Sequence, residues 1–370
     1  MDRKSNSMQK GMSLVEILVG VLIGLIGIVV IFQVLATAEE RKRTTSSGSD
    51  AQVAGAIALY TMERNLRPAG YGFSASTYMG CTVNAYDSAR PGGNFTFPLA
   101  PIQITQGASG APDTLTVLWG NSSTFVATQT FTASAATSKK TQGRAGLQTG
   151  DLVVVAGAGP VCAMAEVTDN TNADGATIDH AAGSYTNAAG TSAVARFNPA
   201  GGPVVAFTQG NLFNFGTVPV RNIWSIRSGK VLTVSNDLRY TDANGDGLND
   251  WVEVAEGIID LQAEYGVDLD NNNMISSAEW QTATPADWSK VRAIRVALLS
   301  RSGQYEKTKV TTSAPSWIGN TTPAVNTFTM NNVDGTPDTD PSDPNNWRNY
   351  RYRVFQTIIP LRNMIWGTAP

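Results

Sequence analysis

The chain has 370 residues, 42% of them hydrophobic and 15% charged, which is enough apolar material for a packed core in one large or two ordinary domains. Its formal net charge of -3 gives no overall basic surface, which argues against a nucleic-acid-binding role without excluding a local basic patch. The one histidine, His180, has no nucleophile arrangement around it, which argues against Ser/His/Asp and Cys/His catalysis. We therefore expect no enzymatic activity, since catalysis would have to rely on carboxylates alone.

The first feature along the chain is a single carboxylate at the start of a membrane-length apolar segment. Residues 11–16 read GMSLVE, and an almost purely apolar run follows from Ile17 to Leu35. A charge near hydrocarbon costs roughly 2 to 3 kcal/mol, so Glu16 is expected to have a functional partner. The segment is therefore predicted to be a membrane helix that packs among other helices rather than a bare anchor.

This arrangement resembles the amino terminus of type IV prepilins, in which a short basic leader ends in glycine before a hydrophobic residue and Ser-Leu-Val-Glu. Met12 stands where the family usually has Phe. The resemblance implies that residues 1–11 are a leader peptide, that a membrane prepilin peptidase cuts after Gly11, and that it methylates the new amino terminus. It also implies that Glu16 neutralises the amino terminus of a neighbouring subunit during assembly, because two groups that are costly alone in hydrocarbon become a pair.

Two other interpretations of this segment stay open, a cleavable secretory signal peptide and a plain membrane anchor. Residues 36–38, Ala-Thr-Ala, imitate a signal-peptidase site. A signal peptide usually has a shorter apolar core without an acid, however. Basic residues flank both sides of the apolar run, at residues 3, 4 and 10 and again at 41–43, so the loop-charge rule does not decide the orientation.

The helical pattern continues beyond the membrane segment. A continuous helix from residue 12 to 66 would be roughly 80 Å long. We divide it into a transmembrane half, residues 12–35, and an amphipathic half, residues 36–68. The polar stretch 44–49 interrupts the apolar pattern and is expected to be a loosened or exposed turn.

The amphipathic half carries apolar residues at helical spacing, and Pro68 and Gly70 then end the pattern. The resemblance to pilins implies that this half lies in a cradle of antiparallel sheet. Its two apolar stripes consist of Val53, Ile57 and Tyr60 and of Leu59, Met62 and Leu66.

Residues 69–370 are expected to form a β-rich body outside the cytoplasm. Between residues 74 and 230 the chain is rich in Gly, Ala, Ser, Thr and Asn, and short β-type runs alternate with turns. The clearest predicted strands are residues 114–119 and 151–155. No long helix is expected in this region.

Two segments of this region, 130–150 and 168–192, are expected to be exposed, variable loops. His180 lies in the second of them. The single histidine is thus expected on the surface, without catalytic neighbours.

The chain contains two cysteines, Cys81 and Cys162. In an oxidising compartment one disulfide between them would close a loop of about 80 residues and stabilise the fold by roughly 4 kcal/mol in the chain-entropy model. Two buried free thiols are the alternative. We favour the bridge, because two cysteines have only one pairing.

Residues 242–253 fit the calcium-loop pattern D-x-[DN]-x-[DN]-G-x5-E at every required position. Hard oxygen ligands at alternate positions, a glycine at the sharp turn and a carboxylate at position twelve are what Ca²⁺ needs. An Asx-rich hairpin turn without metal is the alternative. The candidate ligands are Asp242, Asn244, Asp246, the backbone carbonyl of Leu248, Asp250 and Glu253.

A second, weaker candidate loop is formed by residues 268–279, where Asn273 replaces the expected glycine. Asparagine tolerates the left-handed backbone, so the pattern predicts a weakened site rather than a lost one. A third acidic run, with Asp334, Asp338, Asp340 and Asp343, is broken by prolines, and we interpret it as a solvated loop. The candidate ligands of the second loop are Asp268, Asp270, Asn272, the backbone carbonyl of Met274, Ser276 and Glu279.

Later segments of the chain resemble the PilW family of minor pilins. The resemblance is carried by residues 256–268, by Trp288 with residues 291–299, and by residues 350–363. Apolar residues alternate in the first two segments, which predicts half-buried strands. The alternating residues are Ile259, Leu261, Ala263, Tyr265 and Val267, and then Ile294, Val296 and Leu298.

Together with the prepilin-like amino terminus, these segments identify the chain as a member of the PilW family. The family implies an α+β type IV pilin fold, in which a long N-terminal helix packs on an antiparallel β-sheet, here with an enlarged β-rich insertion. It implies a minor pilin that primes pilus assembly in the inner membrane and then sits at the pilus tip. The implied partners are other minor pilins, the major pilin, the prepilin peptidase, the inner-membrane assembly platform and a large tip adhesin.

Two alternative functions stay open. A pseudopilin of a type II secretion system shares the N-terminal chemistry and often binds calcium, although Glu16 argues against the tip pseudopilin type that lacks this glutamate. From another class, the Ser/Thr/Asn-rich loops could bind DNA or a host surface directly. That reading requires basic and aromatic residues clustered in a loop, whereas those at residues 348–353 alternate as in a strand.

Overall fold

A computed structural model describes residue 11 and residues 13–73, 76–123, 128–144, 146–203, 207–228, 230–319, 325–338, 343 and 345–366 of the chain. Helix α1, Leu14–Leu66, opens the fold, and the short helix α2, Arg362–Trp366, ends the described part. The rest of the body is mainly β-structure. This confirms the predicted α+β class with a large β-rich region.

Helix α1 is continuous over 53 residues, or about 80 Å, so the helix is not loosened at residues 44–49. Thr45 and Ser49 of this stretch are exposed, as the alternative of an exposed segment predicted. Hydroxyl groups within this polar part bond to the helix itself, since Thr45 Oγ1 donates to the carbonyl of Arg41 at 2.9 Å. The helix ends after Leu66, where the Arg67 backbone N–H donates to Glu63 and Pro68 prevents a further turn.

The strands follow in chain order. They are β1 Thr82–Tyr86, β2 Asn94–Pro98, β3 Ile102–Thr105, β4 Thr114–Trp119, β5 Gln129–Ser134, β6 Ser138–Thr141, β7 Leu152–Ala156, β8 Val161–Glu166, β9 Thr177–Asp179, β10 Ser184–Thr186, β11 Ser192–Val194, β12 Gly210–Gly216, β13 Val220–Arg227, β14 Val231–Asn236, β15 Val252–Glu256, β16 Ile258–Val267, β17 Trp280–Gln281, β18 Val291–Arg301, β19 Ser316–Ile318, β20 Val325–Thr327 and β21 Tyr352–Pro360. The two strands predicted most clearly correspond to β4 and β7.

The described part of the body contains three larger sheets and two two-stranded sheets, β10-β11 and β19-β20. One has eight strands in the order β2-β1-β8-β7-β12-β5-β6-β9, the second has five in the order β15-β14-β13-β4-β3, and the third has four in the order β17-β16-β18-β21. The pair β1 and β8 is parallel. The other sheet pairings of the described strands are antiparallel, which fits the short turns between them.

The second half of α1 lies against the five-stranded and four-stranded sheets, where it contacts β15, β18 and β21. The expected cradle is therefore present. Only one side of this half is buried: it carries Ala51, Gly55, Ala58, Met62 and Leu66. The other predicted stripe, Val53, Ile57 and Tyr60, is exposed by 50 to 67%.

The two strands predicted as half-buried are more enclosed than expected. A β-bulge between Ile258 and Asp260 shifts the register of β16, so Ile259 packs on the face opposite Leu261. Strand β18 is buried on both faces. The hairpin of β19 and β20 covers the second face with Trp317 and Phe328, which the alternating pattern alone did not reveal.

The segments 130–150 and 168–192 are not simply exposed loops, because β6 and β9 and most of β5 lie in them and build one edge of the eight-stranded sheet. His180 is completely buried there. Its Nε2 lies 3.1 Å from Nζ of Lys139, which is itself buried. Burial lowers the pKa of His180 to about 4 and that of Lys139 to about 8.

Cys81 and Cys162 form a disulfide, so the predicted pairing is confirmed. The bridge joins the start of β1 to β8 in the eight-stranded sheet. Both sulfur-bearing residues lie in the hydrophobic core on one face of that sheet. The bridge therefore stabilises the region that carries most of the insertion.

Candidate functional site

The apolar first half of α1 is not covered by any described part of the chain. The span Leu14–Glu39 has a mean hydropathy of 3.0, and none of it is buried against the body. Large apolar side chains from Leu14 to Leu35 are 49 to 74% exposed. The helix is thus long and apolar enough to cross a membrane, and its surface remains available to lipid or to other helices.

Glu16 lies in the first turn of α1, on the exposed helix surface, and has no contact with the body. Ser13 precedes the helix in an extended conformation without a side-chain cap, and Gly11 is exposed. Residues 1–10 and Met12 lie outside the described residues. The arrangement leaves a carboxylate within a membrane-length apolar surface, as the sequence predicted.

The loop 242–253 forms a compact cradle of carboxylate and amide oxygens. Its first residue, Asp242, accepts hydrogen bonds from the backbone N–H groups of Asp246 at 3.0 Å and Gly247 at 2.9 Å. Asp246 in turn accepts the N–H of Leu248 at 2.8 Å. Gly245 and Gly247 adopt positive φ angles of 73° and 77°, which explains the glycines at these turn positions.

The loop 268–279 repeats this cradle bond for bond. Asp268 accepts the N–H groups of Asn272 and Asn273, each at 3.1 Å, and Asn272 accepts that of Met274 at 2.7 Å. Asn271 and Asn273 have φ angles of 60° and 62° where the first loop has its glycines. The expectation that Asn273 would adopt the left-handed backbone is confirmed, and the two loops share one local fold.

The two loops close differently. In the second loop, Glu279, the twelfth residue, accepts the N–H of Leu269 at 2.9 Å and so lies against the start of the loop. In the first loop, Asp250 accepts the N–H of Ala243 at 2.9 Å in the same way. Glu253 instead lies exposed on β15, opposite Thr233. Asp250 therefore occupies the closing role that the sequence pattern gave to Glu253.

Carboxylate oxygens converge only in the second loop, as far as the described residues show. One oxygen each of Asp268, Asp270 and Glu279 lie within 4.8 Å of one another. Backbone hydrogen bonds from Ser276 and Leu269 lower the pKa of Glu279, so this carboxylate is held in its charged form. The loop that the sequence ranked second thus has the more closely grouped set of hard ligands.

A guanidinium also faces the second loop. Arg292 Nε lies 3.6 Å from Asp268 Oδ2, and its Nη1 donates to the carbonyl of Met364 at 2.6 Å. The sequence pattern gave no sign of this neighbour, because β18 brings it to the loop across the sheet. Asp268 is consequently buried and compensated in charge even without an ion.

The first loop is anchored to the eight-stranded sheet by an ion pair. Arg196 Nε and Nη2 donate to Asp87 at 2.6 and 2.7 Å, and Asp87 also accepts the N–H of Tyr240 just before the loop. Burial opposes ionisation of Asp87, yet these hydrogen bonds lower its pKa overall. The insertion and the loop therefore hold each other in position.

In the third acidic run, Asp338 is more than a solvated carboxylate, because it pairs with Arg348 and accepts the indole N–H of Trp347 at 3.1 Å. Asp334 accepts bonds from Thr336 in a local turn. Asp340 lies outside the described residues. The described residues of the run thus stabilise the entry to β21 and do not form the cradle seen in the other two loops.

Comparison with known proteins gives one family match. Residues 226–363 match the family described as PilW, Type IV Pilus-assembly protein W. No curated protein and no solved structure matches the chain. The matched region runs from the end of β13 into α2 and includes both loops and the whole four-stranded sheet, whereas the eight-stranded sheet lies outside it.

This match agrees with the three segments that the sequence comparison singled out, and it implies a role in type IV pili together with other pilus components. Residues 226–363 are therefore similar to the PilW family, and a helix of membrane-spanning length precedes them.

Proposed function

We propose that this chain is a minor pilin that helps prime type IV pilus assembly and sits in a minor-pilin complex at the pilus tip. The observation that carries the proposal is Glu16, exposed in an otherwise apolar helix surface whose other half is docked on the body. A carboxylate in hydrocarbon without a partner is costly, so the isolated chain is an incomplete unit. The amino terminus of a neighbouring subunit would supply the opposite charge.

We propose that the chain acts in two stages, first in the membrane and then in the pilus. It first resides in the bacterial inner membrane with its body in the periplasm, where the prepilin peptidase processes it and the assembly platform receives it. It then joins the major pilin and other minor pilins, with a large adhesin as a further tip partner. Its role is structural rather than enzymatic, as suits a family of pilus assembly.

The test is the variant Glu16→Ala, compared with Asp50→Ala as a matched control. Asp50 is an exposed carboxylate on the same helix beyond the apolar span. We expect Glu16→Ala to insert in the membrane but to lose copurifying pilins and most pili, because removing one partner of a buried pair costs roughly 3 to 5 kcal/mol. Normal pilus numbers and normal copurification in Glu16→Ala would refute the pairing role.

The same pull-down separates the alternatives. A type II secretion pseudopilin would copurify with secretion-system pilins rather than with the major pilin of a pilus. A surface- or DNA-binding tip module would need free basic groups beside aromatic rings. In residues 348–353, Arg348 and Arg351 are already paired with Asp338 and Glu306. Of the arginines in this segment, Arg353 alone has no ion pair with a described residue, and one free arginine is not a basic cluster.

We further propose that both acidic loops bind Ca²⁺. The donors fit this ion, since each loop offers hard carboxylate and amide oxygens and a backbone carbonyl at position seven. The proposed ligands follow the sequence pattern except in the first loop, where Asp250 rather than Glu253 closes the cradle by a hydrogen bond. Extracellular calcium modules bind at about 10⁻⁴ to 10⁻³ M, so millimolar calcium is the expected working range.

A further inference from the structure

Strand β21 forms an edge of the four-stranded sheet and pairs on one side with β18. The pairing starts at Tyr352, which lies opposite Arg301, and ends at Pro360, which lies opposite Ala293. Hydrogen bonds just beyond both ends of this ladder set its phase, since Leu361 N donates to Arg292 O and Ser302 N to Arg351 O, each at 2.8 Å. Antiparallel ladders bond at every second residue. The backbone groups of even-numbered residues 352–358 therefore point away from β18.

A neighbouring segment covers the part of the chain just before this edge. The N–H of Val310 donates to Arg348 O at 2.8 Å, and Thr311 Oγ1 donates to Tyr350 O at 2.6 Å. Beyond Tyr350 the cover stops. Among the described residues, none bonds to the outward backbone groups of residues 352–358. The backbone groups of four residues, 352, 354, 356 and 358, are thus unpaired among the described residues.

This open edge lacks the usual protection. The other edge strands of the three larger sheets have two to five residues: β17 two, β9 three, β3 four, and β2 and β15 five each. Strand β15 also carries Glu253 and Glu256, and β2 ends at Pro98. Strand β21 has nine residues, and its stretch 354–359 reads VFQTII, without a charge or a proline until Pro360. An uncharged edge of this kind is a template for another strand unless something occupies it.

A cavity of about 220 Å³ lies at the start of the edge, between α1 and β21, and Ala51, Thr311, Arg351 and Arg353 are among the residues that line it. Arg351 is paired with Glu306, Nε to Oε1 at 2.6 Å. Arg353 has no ion pair with any residue that the structure describes. The cavity can therefore accept a side chain with a negative charge.

We propose that the outer edge of β21, Tyr352 to Ile358, takes an extended segment of a different pilin-type subunit as an added strand, with an acidic side chain of that segment facing Arg353. Backbone hydrogen bonds between the added strand and β21 would supply the affinity. The contact of the acidic side chain with Arg353 would set the register of the added strand. The inference rests on the proposed assembly role. A second copy of this chain fits less well, because residues 352–360 contain no acid and would bring a second arginine to the cavity.

The first experiment is hydrogen exchange resolved to single amides, on the full chain alone and in the complex with the pilins that copurify with it. In the free chain the even-numbered amides from 352 to 358 should exchange fast and the odd-numbered amides slowly. In the complex the even-numbered amides should slow. Fast exchange of these amides in an intact complex would overturn the proposed strand addition while leaving the assembly role in place.

The second experiment uses Ile358→Pro, which removes one outward N–H at a side chain that is 53% exposed, with Ile358→Thr as the matched control that keeps it. We expect the proline variant to bind the copurifying pilins about tenfold more weakly, equivalent to 1.4 kcal/mol, and the threonine variant to bind normally. Equal binding by the two variants would overturn the proposal. The melting temperature of each free variant shows separately whether the fold is kept.

The charge is tested with Arg353→Glu and Arg353→Lys. The reversal should weaken the complex and the lysine variant should retain it, because the proposed partner brings a carboxylate. Equal affinity of both variants would overturn the acidic contact. Slow exchange of the even-numbered amides in the concentrated free chain would instead make a second copy the occupant, against the proposal. Failure of the wild-type chain to capture any pilin would overturn the assembly role itself.

Discussion

The aromatic ring of Phe355 on β21 lies directly against the backbone of Gly55 on α1. A Cβ atom at residue 55 would stand 2.1 Å from Cε2 of this ring, which no real contact allows. Ala51 and Ala58 flank the glycine on the same buried side of the helix. The small size of these three residues thus determines how closely α1 approaches the four-stranded sheet.

Gly55→Ala should therefore destabilise the body although alanine is the better helix former. Helix propensity favours alanine by about 1 kcal/mol, whereas forcing a buried contact apart costs typically about 1 to 3 kcal/mol. We expect a net loss of about 1 kcal/mol in unfolding free energy. Denaturant unfolding of the detergent-solubilised chain measures it.

Gly48→Ala is the matched control, because no atom lies within 4 Å of its added Cβ position. It should stabilise the chain by up to about 1 kcal/mol. The double variant Gly55→Ala with Phe355→Ala should lose less than the sum of the two single changes, since the colliding ring is gone. Stabilisation by Gly55→Ala equal to that by Gly48→Ala would contradict the close contact.

Asp260 predicts a pH dependence of stability. It is 3% exposed on β16, and burial raises its pKa to about 7 from the usual 3.8. Between about pH 4 and pH 7 the folded chain holds a proton that the unfolded chain has lost, so the unfolding free energy falls as the pH rises through this window. The slope from this group is at most about 1.4 kcal/mol per pH unit.

Asp260→Asn should remove that slope, because the amide keeps the shape of the side chain and does not titrate. The exposed residue Asp50, changed to Asn, should leave the slope as it is in the wild type. Denaturant unfolding at several pH values between 4 and 8 provides the comparison. Parallel curves for wild type and Asp260→Asn would show that this carboxyl ionises normally in the fold.

Calcium should raise the melting temperature of the purified full chain. An ion that binds only the folded state adds roughly 2.7 kcal/mol at a hundred times its dissociation constant. Asp246→Ala should remove the part of this calcium-induced rise in melting temperature that comes from the first loop. Asp270→Ala should remove the part that comes from the second loop. The larger loss is expected for Asp270→Ala, because the carboxylates of its loop already converge.

Asp334→Ala is the control for these loops, since Asp334 is an exposed turn carboxylate outside both of them. Melting curves with millimolar calcium and with chelator give the measurement. Identical melting temperatures of the wild type under the two conditions would return both loops to ordinary Asx turns.

Gly11→Ala should block processing of the leader. The prepilin peptidase is expected to recognise a residue without a side chain just before the cleaved bond, so the methyl group of alanine should not fit there. Pili should then be few or absent. Mass spectrometry of the membrane-bound chain is the measurement: the wild type should begin with a methylated Met12, and the variant should keep residues 1–11. Normal cleavage of the variant, or another first residue in the wild type, would contradict the prepilin interpretation.

Much of the candidate site was accessible to sequence reasoning. The apolar run around Glu16, the backbone conformation at Asn273 and the pairing of Cys81 with Cys162 all follow from local patterns or from a single available combination. The closure of the first loop by Asp250 did not follow. A sequence pattern counts positions, whereas the start of β15 carries Glu253 away from the cradle.

Local patterns in the sequence were sufficient to predict the long apolar helix, the carboxylate at its start, the two acidic cradles and the segments that resemble PilW, because each depends on neighbouring residues and their period. Long-range packing, in contrast, sets which stripe of α1 is buried, why His180 is enclosed and which edge of β21 is open. These features depend on partners far along the chain: Phe355 meets Gly55, Lys139 meets His180, and the segment ending at Thr311 stops short of Tyr352. Such pairings arise from packing of whole sheets, which no local pattern encodes.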